Sequence, residues 1–283
     1  MKWLFLIILG TSLNAQTLTV RPNESASEIL NSLYTSGTIR SVFLAKVYLK
    51  VSGQASNLRP GTYNLPPKKT FPEIVDILTR GPEDIKVTIP EGWRREQIAQ
   101  HLSSYLSDKE FLLNSASLEG RLFPDTYFIP PAISSIQMIK LMTDNFNSNV
   151  KTKVENETLV VASLVEREAR VSEERGIIAG ILWKRYKNDW PLQVDATLQY
   201  VQGRSTDWWP KVINTKLPSA YNTYTHVGLP PGPIGNPGLD SIKAALTPVD
   251  SPYWYYLHDN SGVVHYAKTL DEHNLNVDKY LNR

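Results

Sequence analysis

The sequence predicts an α+β protein in which a small strand-and-helix region precedes a larger mixed α/β domain. Its 283 residues are 41% hydrophobic and 10% aromatic, which is typical of a chain with packed cores. A strand, a turn and a helix follow one another twice, around residues 61–80 and 85–106. Longer segments with helical spacing and a hairpin pattern come later. We therefore predict two folded parts, residues 16–110 and 111–283.

The first fifteen residues have the pattern of an export signal. Lys2 precedes the apolar run Trp3-Leu-Phe-Leu-Ile-Ile-Leu9, and small residues lead to Ala15. The run is shorter than a standard membrane span. Two outcomes stay open: cleavage near Ala15 with release of the protein, or retention as a short membrane anchor. In both, the chain from about Gln16 onward lies outside the cytoplasm.

Short elements alternate in the first folded part. Leu18-Thr-Val20 is typical of a strand, Ser25 or Ser27 can cap a helix, and Thr70 can cap another. Small strand-helix units of this kind often bind glycans, although they can equally act as spacers. Residues 58–106 are therefore predicted to be a LysM-like glycan-binding module or a spacer.

Helical spacing dominates the second folded part. It predicts helices over about 134–150, from Asn156 or Thr158, from Ser172 to about Tyr186, around Ser241–Leu246 and from about Leu270, with a hairpin joining 253–257 to 263–267. The loop over residues 118–127 is dense in Gly, Pro and aromatic residues, and it contributes Glu119 and Asp125 as possible chemical groups.

An acidic residue interrupts the apolar stripe of the helix that begins near Asn156. Glu168 falls one turn beyond Leu164, on the face that Val161 and Val165 share. Burial of a carboxyl group raises its pKa because an apolar setting disfavours the charged form. Such a group can stay protonated near neutral pH and act as a general acid. Glu168 is therefore the leading catalytic candidate.

Two alternatives to this assignment stay open at the level of sequence. Glu166 points to another side of the helix, towards small residues such as Ser163, and it is the second candidate for the acid. Alternatively, both glutamates belong to a solvated charged cluster with Arg167 and Arg170.

Composition excludes several classes of function. The 30 basic and 28 acidic side chains give a net charge of +2, so no extended basic face for nucleic acid is predicted. Cysteine is absent, which excludes disulfides and thiolate chemistry. The histidines lack a compact ligand spacing, and no serine elbow or phosphate loop occurs. Neither a metal nor an organic cofactor is predicted.

Several motifs occur in order along the chain, and together they resemble a known family. They are Leu118-Glu-Gly-Arg-Leu-Phe-Pro-Asp-Thr-Tyr127, Ala162-Ser-Leu-Val-Glu-Arg-Glu-Ala169, Leu192-Gln-Val-Asp195, and Tyr221-Asn-Thr-Tyr224 leading to Gly228-Leu-Pro-Pro-Gly-Pro-Ile234. From about Leu58 to the carboxyl terminus, the sequence resembles the YceG-like endolytic murein transglycosylases, the MltG family. Two departures are the short apolar run near the amino terminus and Ala196, which stands where a proline commonly follows the aspartate.

The resemblance implies a lyase held in the inner membrane of the bacterial envelope, facing the periplasm, with Glu168 as its essential acid. It implies that this acid protonates the glycosidic oxygen between N-acetylmuramic acid and N-acetylglucosamine. The resulting carboxylate then accepts the proton of the C6 hydroxyl, whose oxygen closes on C1 and leaves a 1,6-anhydro end. Cutting nascent peptidoglycan strands in this way, beside the synthesis machinery, would terminate their elongation. A hydrolytic muramidase and a non-catalytic peptidoglycan-binding protein are the alternatives.

Further residues of these motifs are predicted to bind the substrate. Gln193 could hydrogen-bond an acetamido or hydroxyl group, Tyr221 and Asn222 could orient the sugar, and Tyr224 offers a flat face for a sugar ring. For Gln193, Tyr221 and Asn222 the alternative is a role in bracing the loop. Asp195 is interpreted as a structural residue or as a neighbour of the acid.

Overall fold

The structure, a computed structural model, describes residues 15–21 and 23–281. The predicted signal or anchor falls almost wholly on residues 1–14, which lie outside the described residues. The chain divides into two compact units. The first contains residues up to Val87 together with Tyr127–Ile133, and the second contains Thr88–Thr126 and the chain from Ser134 onward. Helices and small two-stranded sheets occur together, so the predicted α+β class is confirmed.

The first unit begins with a strand, two helices and a second strand, followed by a third helix. These are β1 (Gln16–Val20), α1 (Ala26–Thr35), α2 (Val42–Ser52), β2 (Gly61–Leu65) and α3 (Phe71–Arg80). β1 and β2 pair antiparallel, with Leu18 opposite Tyr63. Gly61, Tyr63 and Leu65 alternate with exposed residues, so one face of the sheet covers the core of the unit.

Ser25 starts α1, as one of the predicted caps. The Ser25 hydroxyl accepts a hydrogen bond from the backbone N–H of Glu28, and the Glu28 carboxylate accepts one from the backbone N–H of Ser25. This reciprocal arrangement satisfies two N–H groups that the helix itself leaves unpaired. It fixes where the chain turns from β1 into α1.

A second two-stranded sheet joins β3 (Ile85–Thr88) to β4 (Thr126–Ile129), and the division between the units runs through both strands. Next along the chain from β3 come α4 (Arg95–Leu102) and α5 (Asp108–Asn114). The domain boundary predicted between residues 110 and 111 therefore falls inside α5. The structure places the division earlier, because α4 packs on α5 and α5 packs on α6 (Ser135–Asn149) within the second unit.

The second unit is built around α7 (Asn156–Glu168). The later elements are α8 (Ser172–Lys187), α9 (Asp195–Gln202), α10 (Leu239–Leu246), β5 (Tyr255–His258), β6 (Val264–Ala267) and α11 (Leu270–Tyr280). Every residue of α7 from Leu159 to Val165 is buried, and the helix packs against α8, α9 and α10. A helix buried on all sides has little freedom to move, so its carboxyl end is held firmly.

Hydrogen bonds from the 233–238 segment fix α7 further. The Ser163 hydroxyl accepts a bond from the backbone N–H of Ile234 at 3.0 Å. The Glu166 carboxylate accepts one from the backbone N–H of Gly238, immediately before α10, at 2.9 Å. These two hydrogen bonds connect Ser163 and Glu166, on successive turns of α7, to the 233–238 segment. No helix within the described ranges is long and apolar enough to cross a bilayer.

The close packing of α8 gives a test of this core. Alanine normally stabilises a helix relative to glycine by about 1 kcal/mol. At Gly180, however, an added Cβ would collide with the backbone carbonyl oxygen of Val249. We expect Gly180→Ala to lower the free energy of unfolding by about 1–3 kcal/mol, the usual cost of overpacking, in chemical denaturation.

Gly176→Ala is the matched control in the same helix. A Cβ at Gly176 meets only a side-chain atom, Val249 Cγ2 at 2.7 Å, which can move aside more easily than backbone. The Gly176 variant should therefore lose less stability than the Gly180 variant. Stabilisation by Gly180→Ala would contradict the close approach of Val249 to α8.

Candidate active site

A cavity of about 520 Å³ opens at the carboxyl end of α7, within the second unit. Four residues singled out from the sequence line it: Glu168, Gln193, Asp195 and Tyr224. The remaining lining residues are Arg185, Leu192, Tyr255, Tyr256, Leu257, Leu270, His273, Val277 and Leu281. The cavity thus combines several polar groups with an apolar wall to which α11 contributes. Cavities of this kind commonly bind ligands.

Glu168 is the last residue of α7, and its side chain is partly buried. Its Oε2 atom accepts a hydrogen bond from the Tyr256 hydroxyl at 2.9 Å. Burial raises the pKa of Glu168 above its ordinary value, and the negative charge of Asp195 acts in the same direction. The Tyr256 hydrogen bond opposes this shift because it favours the ionised carboxylate. The pKa of Glu168 is thus raised, as its position on the apolar stripe predicts.

Asp195 and Tyr224 form a second polar pair in the cavity. Asp195 is the first residue of α9, and its Oδ1 atom accepts a hydrogen bond from the Tyr224 hydroxyl at 2.6 Å. Asp195 is exposed and lines the cavity, and the hydrogen bond to its carboxylate comes from the Tyr224 side chain. Asp195 is thus a neighbour of the acid, which was one of the two interpretations drawn from the sequence.

Gln193 has an unusual backbone conformation for a residue that is not glycine. Its φ angle is +53°, and its backbone N–H donates to the Thr223 carbonyl at 3.0 Å. A left-handed residue with a side chain costs roughly 1–3 kcal/mol, and such residues are frequent at functional sites. The Gln193 side chain is exposed, and it has no hydrogen-bond partner among the described residues. Its amide is therefore available to a ligand.

Arg185 and His273 line the cavity although the sequence analysis did not select them as site residues. The Arg185 guanidinium is buried and donates to the carbonyls of Trp254 at 2.9 Å and Leu192 at 2.7 Å. Arg185 shares the inward-facing side of α8 with Ile181. A charged residue on an apolar face is the signal that identified Glu168, and it could have identified Arg185 too.

Glu166 lies away from the cavity. Its side chain is only 8% exposed, and Oε1 lies 3.6 Å from Nη2 of Arg175 while Oε2 accepts the Gly238 N–H. Glu166 therefore joins α7 to the start of α10, where a negative charge is favourable. A solvated cluster of both glutamates is not what the structure contains, because Glu166 is buried and Glu168 bonds to Tyr256.

Tyr221 and Asn222, which the sequence predicts to orient the sugar, do not line this cavity. Asn222 is fully buried, its Nδ2 atom donates to the carbonyls of Thr215 and Leu217, and its Oδ1 atom accepts the Tyr224 N–H. The Tyr221 ring packs at a tilt of 39° against the ring of Tyr200, with ring centroids 5.2 Å apart. Their positions match the loop-bracing alternative, and Asn222 helps to hold Tyr224 in place.

A second carboxyl with a raised pKa lies outside the cavity. Glu119 accepts hydrogen bonds from the Arg95 backbone N–H at 3.1 Å and from Asn236 Nδ2 at 2.7 Å. Burial raises the pKa of Glu119 to about 8. These contacts connect the 118–127 loop to the start of α4 and to the 233–238 segment, which is a structural role. In the described part of the chain, no group of three acidic or histidine side chains converges as a metal site would require.

Comparison with known proteins finds one family in both sequence and structure. The sequence profile of the YceG-like family matches residues 18–279. The endolytic murein transglycosylase of Bacillus subtilis (strain 168) is 33% identical over 307 aligned residues, which cover 93% of this chain and 84% of that protein. The protein of the same name from Streptococcus pneumoniae serotype 2 is 30% identical, with 94% of this chain and 58% of that protein covered.

A solved structure shows the same relationship. The 2.6 Å crystal structure of a yceG-like protein from Listeria monocytogenes is 29% identical in sequence and superposes with a TM-score of 0.60. The superposition covers 93% of this chain and 99% of that one. These matches run through both units and include the residues around Glu168. The chain belongs to the YceG-like family.

Proposed function

We propose that this protein is an endolytic murein transglycosylase, a lyase that cuts within peptidoglycan glycan strands. The observation that carries the proposal is the partly buried Glu168 carboxyl, whose pKa is raised and which lines a cavity of about 520 Å³. A raised pKa increases the protonated fraction of a carboxyl group at a given pH, and the protonated form can donate to a leaving oxygen. Relatives that are 30–33% identical over more than nine-tenths of this chain carry the same name.

In the proposed reaction one carboxyl acts first as acid and then as base. Protonated Glu168 donates to the glycosidic oxygen between N-acetylmuramic acid and N-acetylglucosamine as the bond to C1 breaks. The Glu168 carboxylate, stabilised by the Tyr256 hydroxyl, then accepts the proton of the C6 hydroxyl. The C6 oxygen bonds to C1, so a 1,6-anhydro end forms and no water is consumed.

The other cavity residues have roles that follow from their chemistry. The Asp195 carboxylate, held by Tyr224, stabilises the positive charge that develops near C1 as the bond breaks. The unpaired Gln193 amide binds an acetamido or hydroxyl group of the sugar. The apolar wall that includes Leu257 and Leu270 accommodates methyl groups of the substrate. Neither a metal nor an organic cofactor takes part in any of these steps.

In this proposal the amino-terminal region binds glycan or acts as a spacer for the catalytic domain. The region predicted as residues 16–110, with the LysM-like stretch 58–106, stays a glycan-binding or spacer region in this proposal, although its part from Thr88 onward belongs to the second unit. A groove of about 470 Å³ in the first unit includes the polar side chains of Thr62, Asn64, Glu83 and Asp84. Hydroxyl, amide and carboxylate groups are suited to sugar hydroxyls, which supports glycan binding. The cell-wall synthesis machinery is the expected protein partner.

The decisive test of the function is the chemistry of the products from purified glycan strands. We expect Glu168→Gln to lower the rate of cutting by roughly 10²–10⁴-fold, the usual contribution of a general acid. Mass spectrometry should show 1,6-anhydro ends from the unmodified protein. Reducing ends in their place would support a hydrolytic muramidase and contradict the proposal.

Glu166→Gln is the matched control for the assignment of the acid. It changes the same residue type two positions away, outside the cavity, and leaves Glu168 intact. We expect this variant to lose stability through the Gly238 and Arg175 contacts but to keep most of its activity per folded molecule. Loss of cutting in Glu166→Gln, with cutting retained in Glu168→Gln, would reverse the assignment.

The pH dependence of cutting tests the environment of Glu168 with two changes of opposite sign. Activity needs the protonated acid, so the rate falls as the pH rises through the pKa of Glu168. Tyr256→Phe removes a hydrogen bond that favours the carboxylate, and the alkaline limb of kcat/KM should move to higher pH. Asp195→Asn removes a negative charge that raises this pKa, and the limb should move to lower pH. Shifts in one common direction would show that another group titrates.

We further propose that the protein lies outside the cytoplasm, anchored in the cell membrane by its amino-terminal segment, with a secreted form as the alternative. The apolar run from Trp3 to Leu9 after Lys2 supports export. Mass spectrometry of the mature protein gives the answer. An intact amino terminus in the membrane fraction is the expected result, whereas a protein that starts near Gln16 in the soluble fraction would mean release.

A further inference from the structure

One face of α2 is apolar and yet exposed. Phe43, Val47 and Val51 are 74%, 40% and 75% exposed. Residues four apart lie above one another on a helix, so these three form a continuous stripe. Ala45 and Leu49, on the opposite side of α2, are buried in the core of the first unit. One side of α2 thus packs in the core, whereas the Phe43 stripe forms no part of the core and is a candidate interaction surface.

The segment of chain that contains the Phe43 stripe is basic. Lys46 and Lys50 are exposed and follow Phe43 and Val47 by three residues, which places them beside the stripe. No acidic residue occurs between Glu28 and Glu73. That interval contains the basic residues Arg40, Lys46, Lys50, Arg59, Lys68 and Lys69. An apolar stripe in a basic setting is complementary to an apolar layer bordered by negative charge.

The start of β1 lies next to the loop that leads into α2. The Gln16 side chain donates through Nε2 to the Ser36 carbonyl at 2.7 Å, and its Oε1 atom accepts from the Thr38 hydroxyl at 2.5 Å. Only residues 10–15 separate Gln16 from the apolar run that ends at Leu9. Six extended residues span at most about 22 Å. An anchor formed by that run would therefore keep the start of α2 near the bilayer.

We propose that the Phe43 stripe, together with Lys46 and Lys50, docks on the surface of a membrane that contains anionic phospholipid. The apolar side chains enter the boundary between headgroups and acyl chains, and the lysines pair with phosphate groups. The contact is an interfacial one in addition to any amino-terminal anchor. It does not depend on the cutting reaction proposed above.

The sequence permits a direct test, because the chain has no cysteine and a single introduced one is unique. The full-length protein is reconstituted in vesicles after Val47→Cys is labelled with a polarity-sensitive fluorophore. Leu113→Cys, at a site 77% exposed on α5 in the second unit, is the control. We expect phosphatidylglycerol in phosphatidylcholine vesicles to shield the label at 47 from acrylamide and shift its emission to the blue. The label at 113 should stay accessible.

Charge variants test the lysines in the same assay. Replacing Lys46 or Lys50 by Gln should weaken docking by about fivefold each, since each basic residue near an anionic surface contributes roughly that factor. High salt should have the same effect. Circular dichroism checks that every variant is folded.

Several results would overturn the proposal. One is a label at 47 that stays accessible with phosphatidylglycerol, and another is equal shielding of positions 47 and 113. Shielding without vesicles that grows with protein concentration would assign the stripe to a second copy of the chain. Shielding by glycan strands alone would assign it to sugar. Docking that survives the loss of both lysines would contradict the charge pairing.

Discussion

The hydrogen bond between Tyr256 and Glu168 depends on the packing of the second unit, which holds α7 and the hairpin in place. Burial favours a protonated Glu168, whereas the Tyr256 hydroxyl favours the carboxylate. In the proposed reaction Glu168 both gives and accepts a proton, and such opposing influences keep either form from becoming too stable. The bond requires that the end of α7 and the hairpin of β5 and β6 keep a fixed separation, and the packing of the unit serves this requirement.

The fixed position of α7 follows from contacts with residues far away in sequence. Ser163 and Glu166 bind the 233–238 segment on one side of the helix, and Glu168 faces the cavity on another. Glu166 and Glu168 thus have different contacts because of the geometry of the helix. Residues two apart on a helix point in different directions, so one can join α7 to α10 while the other stays available to a substrate.

Much of this arrangement was predictable from the sequence, and the exceptions have physical causes. The helical spacing over α6, α7 and α8, the hairpin and the terminal helix all appear in the structure, because each has a periodic pattern of sufficient length. The helix α9 was not predicted, because its buried residues, Ala196, Thr197 and Leu198, are consecutive and show no helical spacing. The raised pKa of Glu168 was predictable because this residue interrupts an apolar stripe. For Asn222 the sequence left a choice between sugar binding and loop bracing, because sequence does not show that two loop carbonyls accept hydrogen bonds from its amide.

The path of the chain through the two units has a consequence for how the protein is made. Residues 127–133 belong with the first unit although they follow it by about forty positions, and β4 supplies the partner strand of β3. During vectorial synthesis or export, the first unit cannot be completed when Val87 emerges. Until Ile133 has also emerged, β3 has no partner strand, and its exposed edge can pair with the wrong strand. A truncation after Val87 would keep the apolar core of the first unit, whose buried residues lie between Leu18 and Leu78, but it would leave β3 without its partner strand.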